Sequence, residues 1–373
     1  MKTPLFATFG GIAALALVWI LWPARLDPAF WDEPEAPALT GVLEPRGRLA
    51  QAVEIGRGLL DSAEDVALAA DGSIYTGQHD GSLVRLWRHD GVWQVETIAR
   101  LTHLPVLGLQ WSADGRLIAA ASDGIYAVNV ATGATETLAT QLAGRPLGFA
   151  DDLDVGPDGT IYFTEASWKW ANTADHPSYQ YDMAENRPYG ALAALDPVSG
   201  ETRVLMDDLY FANGVAMAAD GQSVFVLETY RFRLSRYWLD GPQAGSWEVV
   251  DDNLPGIPDG LMGDGAGRLY IAMDTQRVPL LRFLHRNPVL TRMITKLPDW
   301  VWLRAGTPQG FVLVMDEDGN YLDSFHDPDG RFGLIANVVP DGDGGLWIGS
   351  LTEDVIGYFT QPEMRAGADA ATD

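Results

Sequence analysis

The sequence predicts an all-β fold, a six-bladed β-propeller, preceded by an N-terminal transmembrane helix. Three observations predict it. A short hairpin, usually turning on Asp-Gly, recurs six times; a second hairpin arm follows most copies; and an uncharged stretch of 19 residues opens the chain.

The opening stretch, Pro4 to Trp22 (PLFATFGGIAALALVWILW), has Lys2 before it and Arg25 after it. As a helix it would be roughly 28 Å long, close to the hydrocarbon thickness of a bilayer. Trp19 and Trp22 stand at its far end, where interfacial aromatics are favoured. A cleaved signal peptide has a shorter apolar run and a small-residue cleavage site, and WPARLDP offers none. A buried core helix would not be apolar on every face. Residues 1–25 therefore read as an uncleaved, single-pass membrane anchor, with a signal peptide as the alternative. The amino group and Lys2 place its start in the cytoplasm and the body on the non-cytoplasmic (periplasmic or extracytoplasmic) side. Residues 26–45, rich in Pro, Asp and Glu, read as a tether. Residues 46–360 hold the repeats, and 361–373 read as a disordered tail.

The six hairpins are VALAADGSIYTG (66–77), LQWSADGRLIAA (109–120), LDVGPDGTIYFT (153–164), VAMAADGQSVFV (215–226), LMGDGAGRLYIA (261–272) and VVPDGDGGLWIG (338–349). Asp and Gly both tolerate the positive φ of tight hairpin turns, and the flanking β-branched and aromatic residues suit strands. Second arms include LVRLWRHDGVWQVETIA, IYAVNVATGATETLA, ALAALDPVSGETRVLM, LSRYWLDGPQAGSWEVV and LLRFLHRNPVLTRMIT. Four strands in roughly 45 residues is the arithmetic of a propeller blade. A generic β-sandwich would not repeat one turn at one phase six times. Residues 165–189 form an insertion in the third unit.

Composition narrows the function. With 47% hydrophobic and 20% charged residues, a packed core is feasible. A net charge of −26 argues against nucleic acid or anionic lipid surfaces as partners and for the collection of cations. The absence of cysteine excludes disulfides, thiolate zinc sites and cysteine nucleophiles. The six histidines include no pair at metal-ligand helical spacing. No G-x-S-x-G elbow or P-loop is present, and GDGAGR (263–268) is a hairpin turn rather than a dinucleotide loop.

Immediately before four hairpins lie Glu64-Asp65, Asp151-Asp152, Asn213-Gly214 and Asp259-Gly260. Taken singly, such residues are ordinary turn formers. Taken at one phase of a propeller repeat, they stand where the innermost strands enter the central channel. Glu64, Asp151, Asn213 and Asp259 then offer side-chain oxygen to one axis, as a hard cation such as calcium requires. Without a cation, packed carboxylates would repel or take up protons.

The stretches TGVLEPRGRL, GRPLGFADDLDVGPDGTIYFTEASWKW, FANGVAMAADGQSVFVLET, LPGIPDGL and LWIGSLTEDVIGYF resemble the strictosidine synthase-like branch of the calcium-dependent six-bladed propellers. Paraoxonases and gluconolactonases are relatives in that superfamily. The resemblance runs from about residue 38 to 360. It implies Ca²⁺ as cofactor, held by Glu64, Asp151, Asn213 and Asp259. It also implies a second, structural Ca²⁺ held by Asp65 and Asp152 with a backbone carbonyl near Leu109. The sequence departs from the pattern at Asp151, usually Asn, at Gly260, where paraoxonases have a further Asn, and at Leu107, where they place a histidine. The glutamate of strictosidine synthase's ring-closing chemistry aligns near Asn337, which argues against that reaction.

The expected function is a calcium-dependent hydrolase of a small-molecule ester or lactone. Asp259 is the candidate catalytic base or nucleophile, with pure ligation as its other role. Trp168, Trp170, Tyr179 and Tyr181 are candidate lid residues, though such aromatics more often pack. The alternatives are a non-catalytic, calcium-stabilised binding or scaffold propeller and a strictosidine synthase-like condensing enzyme.

Overall fold

The computed structural model describes residues 18–19, 22–173, 178–303 and 309–360. Most of the expected anchor and all of the expected tail lie outside the described residues. Among the described residues, no helix is long and apolar enough to cross a membrane.

Six antiparallel four-stranded sheets surround one channel. Their inner strands are Val66–Leu68, Val106–Trp111, Ala150–Val155, Ala212–Met217, Gly256–Gly263 and Ile335–Pro340, opening blades I to VI in order. Each of the six sequence hairpins joins the first and second strands of a blade. At Asp71-Gly72, Asp114-Gly115, Asp158-Gly159 and Asp220-Gly221 only the glycine takes positive φ. The aspartate instead accepts from the amide two residues on, as Asp71 does from Ser73 at 2.9 Å and Asp158 from Thr160 at 2.9 Å. The dipeptide therefore combines a side-chain-capped turn with one left-handed residue.

Blade VI closes the ring. Its outermost strand, Val53–Ile55, comes from the N-terminal side and pairs with Ile356–Thr360. The core is divided among the seams between blades. One cluster joins IV to V through Phe225, Leu227, Leu261 and Ile271, and another joins V to VI through Val312, Phe325, Val338 and Ile348.

Two insertions interrupt the repeat. Both join the second strand of a blade to its third, so both lie at the channel end where the inner strands begin. In blade III the insertion carries α1 (Ser178–Glu185). In blade V it carries α2 (Pro279–His285), α3 (Pro288–Ile294) and α4 (Asp299–Trp302). The expected strand arm LLRFLHRNPVLTRMIT is therefore helical. Pro279 and Pro288 sit in the first turns of α2 and α3, where a missing N–H is harmless. The third strand of blade V comes later, at Phe311–Asp316.

Residues 26–45 are packed against the body. Leu26 and Leu43 are buried, and Trp31 lies 5.5 Å from the Phe232 ring. The Ala29 and Trp31 amides donate to the Glu185 and His285 carbonyls at 2.8 and 3.1 Å. This strap runs from the insertions down the side of the propeller.

Candidate functional site

Strand pairing puts the six inner strands in one register. Val66, Leu109, Leu153, Val215, Leu261 and Val338 each face a second-strand partner. Two residues earlier stand Glu64, Leu107, Asp151, Asn213, Asp259 and Ala336. One residue earlier stand Asp65, Gly108, Asp152, Gly214, Gly260 and Asn337. In blades III to VI the register shifts across these two positions. Such a bulge lets neighbouring residues turn toward the channel instead of alternating.

The upper ring thus carries the four predicted oxygen donors at one level of the channel. The Asn213 amide donates to Asp259 Oδ1 at 2.5 Å, and Asp259 Oδ2 is buried with no hydrogen-bond partner. Burial pushes the Glu64 carboxyl well up, with the charges of Asp151, Asp259, Asp65 and Asp152 adding to it. Burial raises Asp151 to about 8. Asp259 is held well above the ordinary range by burial, then by Asp274 and Asp151.

The lower ring is stapled to backbone. Asp65 accepts from the Val66 amide and, across the seam, from the Leu109 amide, both at 2.7 Å. Asp152 accepts from Leu153 at 2.8 Å and from Val215 of blade IV at 3.0 Å. Asp154, one turn of the strand further in, repeats the device with Val155 and Met217. These amide bonds oppose the desolvation that raises Asp65 to about 7. The blades approach so closely here that a Cβ on Gly214 would sit 2.4 Å from the Leu261 nitrogen.

Apolar residues roof the upper ring. Leu107, Phe149, Phe211 and Tyr230 form one cluster, with Phe149 and Phe211 edge to face at 5.1 Å. Tyr230 Oη donates to the Tyr179 carbonyl at 2.8 Å. The four expected lid aromatics separate. The Tyr179 hydroxyl is raised by burial and by the charges of Asp274, Asp259 and Glu64, so it faces the mouth. Trp170 and Tyr181 instead pack with Leu26 and Trp302, and Tyr181 Oη donates to Asp299 at 2.7 Å. Trp168 packs on Tyr189 at 4.9 Å beneath Arg145.

Two acids at the mouth were not singled out by sequence. Asp274 is raised to about 7 by burial, and its Oδ1 has no partner. Glu165 is raised to about 8 by burial, and one oxygen accepts from the Gly148 and Phe149 amides. Both sit at the ends of second strands, outside the recurring motif, so only pairing reveals them. The opposite end of the channel holds a separate cavity of about 410 Å³ lined by Leu68, Trp111, Met262 and Pro340, remote from the upper ring.

The upper-ring donors fit a hard cation chemically. They are all oxygen carriers, and Asp259 leaves one buried oxygen unpartnered. Among the described residues, however, no group of three or more His, Cys, Asp or Glu side chains is placed so that it could hold a metal ion. Glu64, Asp151, Asn213 and Asp259 are the side chains that would hold such an ion. The lower-ring acids are already bonded to amides.

The strictosidine synthase family matches residues 151–242, and the strictosidine synthase-like N-terminal family matches residues 41–86. The adipocyte plasma membrane-associated protein of Gallus gallus is 32% identical, covering 94% of this chain and 88% of its own length. Strictosidine synthase-like protein 6 of Arabidopsis thaliana is 33% identical, covering 73% of this chain and 72% of its own. Among solved structures, a gluconolactonase from Xanthomonas campestris aligns with a TM-score of 0.60 at 20% identity, over 92% of this chain and 99% of that one. The calcium-binding protein regucalcin from Agrobacterium tumefaciens aligns with a TM-score of 0.56 at 19% identity, over 82% and 93%. The six-bladed fold is shared with these structures, and by sequence the chain belongs to the strictosidine synthase-like family that includes the adipocyte plasma membrane-associated proteins.

Proposed function

We propose that this chain is a calcium-dependent hydrolase of small esters or lactones, held at a membrane. One observation carries the reading: Asp259 Oδ2 is buried, unpartnered, and set in a ring of oxygen donors beneath an apolar roof. Glu64, Asp151, Asn213 and Asp259 would hold the ion. A bound calcium supplies a Lewis acid that polarises a carbonyl and stabilises the oxyanion formed from it. Phe149, Phe211 and Leu107 bind the apolar part of the substrate and exclude bulk water. Asp259 accepts a proton from the attacking water as the new C–O bond forms, and returns it to the leaving oxygen as the old one breaks. The gluconolactonase and regucalcin likenesses support the lactone and calcium parts, and the relatives' plasma-membrane name supports the membrane part.

A calcium-stabilised scaffold is the second reading, favoured by the amide-stapled lower ring, which is structural by its bonding. Aryl ester and lactone hydrolysis with and without chelator separates the two. Activity that needs calcium and disappears in both Asp259→Asn and Asn213→Ala, with folding intact, supports the hydrolase. Chelation that lowers only the melting temperature, with no turnover of any ester or lactone, supports the scaffold.

A further inference from the structure

Helices α2 and α3 expose large apolar groups on their outward face, while Leu281 is buried on the inner one. Their protein-facing positions include His285, Thr291 and Thr295, each 2% exposed or less. Their partners lie within the fold: His285 Nε2 lies 2.9 Å from the Met183 carbonyl, while its Nδ1 is buried without a hydrogen-bond partner, and Thr291 Oγ1 donates to the Leu284 carbonyl at 2.7 Å. The outward positions carry Leu280, Phe283, Val289 and Leu290, between 40% and 75% exposed, and Trp300 of α4 is 81% exposed. Water favours the reverse distribution.

The charge of this insertion is also inverted. Residues 277–303 contain five Arg or Lys and one Asp, in a chain with 25 basic and 51 acidic residues. Helices that combine exposed large apolar groups with basic side chains lie on anionic membrane surfaces. Arg286 and Arg292 are each about half exposed and also pair with Asp32 and Asp27 of the strap.

The chain's own path says which surface is near. Lys296 Nζ donates to the Trp19 carbonyl at 2.8 Å. Arg25 donates to Asp299 of α4 at 2.9 Å and to Tyr181 of α1 at 2.6 Å. The far end of the 4–22 apolar stretch therefore meets the propeller at this same cap, with Trp19 and Trp22 exposed beside it. The cap belongs to the face that holds the channel mouth, because α1 carries Tyr179 and touches α2 through Met183 and His285.

We propose that α2, α3 and α4 dock on an anionic phospholipid surface, turning the channel mouth toward the bilayer. The inference is independent of the hydrolase reading. The chain has no cysteine, so single nitroxide labels are simple to place. Val289→Cys reports on the cap; Val198→Cys, 95% exposed in a turn at the opposite end of blade III, is the control. The full chain is reconstituted in phosphatidylcholine vesicles with and without phosphatidylglycerol. With phosphatidylglycerol, the label at 289 should collide at least about fivefold less with an aqueous nickel chelate than the label at 198, and more with dissolved oxygen. Omitting phosphatidylglycerol should reduce that protection. Equal nickel accessibility at the two sites overturns the proposal. So does low accessibility to both nickel and oxygen at 289, which would mean that residues 4–17 cover the face. Spin–spin broadening at 289 that grows with protein density would mean a second copy covers it, and equally overturns the proposal.

Discussion

Replacing Asp259 with Asn should make the calcium-free protein more stable and the enzyme inactive. Asp259 Oδ1 accepts from Asn213, a bond that an asparagine oxygen can keep. Oδ2 is buried without a partner, and burial, Asp274 and Asp151 all oppose its charge. An unsatisfied buried acceptor costs about 1–3 kcal/mol, and more when charged. Removing that charge should therefore stabilise the chelated protein by about 1–3 kcal/mol. At about 2–4 °C per kcal/mol for a large domain, the melting temperature rises by about 2–12 °C. The sign with pH follows from the raised pKa. Wild type is unpenalised while Asp259 is protonated and loses stability as pH rises above the unfolded value near 4. The advantage of the variant should thus be small at pH 4 and grow through neutral pH. Scanning calorimetry in chelator at pH 4.5 and pH 8 reads this, and ester hydrolysis with calcium should fall at least about 100-fold. A variant that melts below wild type in chelator at pH 8, or that keeps full activity, would refute the reasoning.

Other outcomes follow from named contacts. Gly214→Ala places a Cβ 2.4 Å from the Leu261 nitrogen and should destabilise the fold by about 3 kcal/mol, measured by urea unfolding. Glu185 is fully buried and accepts from Lys169, Trp170 and the Asp27 amide. Because Lys169 is partly exposed, Glu185→Gln should destabilise by about 2 kcal/mol and speed hydrogen exchange at Asp27 to Trp31. Burial lowers His285 to about 4, so the unfolded chain takes up that proton first, near pH 6.5. The stability of wild type relative to His285→Gln should therefore fall as pH drops from about 6.5 to 4, by urea unfolding at several pH values.

Much of the propeller is legible in sequence because one turn chemistry recurs at one phase. The Asp-Gly turns locate the first and second strands of most blades, and the residues before them locate the upper ring. The blade V insertion is less legible. Its run Leu280-Leu281-Arg282-Phe283-Leu284 has the apolar density of a strand, while the cues that decide for helix are Pro279 and Pro288 in first turns. The strap reads as a linker because Pro and acidic residues dominate residues 26–45. Its apolar contacts are few, Leu26, Trp31, Leu39 and Leu43, and too unevenly spaced to mark a periodicity. Asp274 and Glu165 reach the mouth from second strands, so no local motif announces them. Of the lid candidates, Tyr179 faces the channel because it lies in α1 next to Tyr230, whereas Trp170 and Tyr181 are drawn into packing with the strap and α4.

The central claim concerns one ion on the propeller axis. Crystals of the chain grown with calcium and measured at a wavelength where calcium scatters anomalously test it directly. A peak bounded by oxygens of Glu64, Asp151, Asn213 and Asp259 is expected, with the Asn213 amide rotated from its present bond to Asp259. Ordered crystals at millimolar calcium with no peak among those four side chains would contradict it.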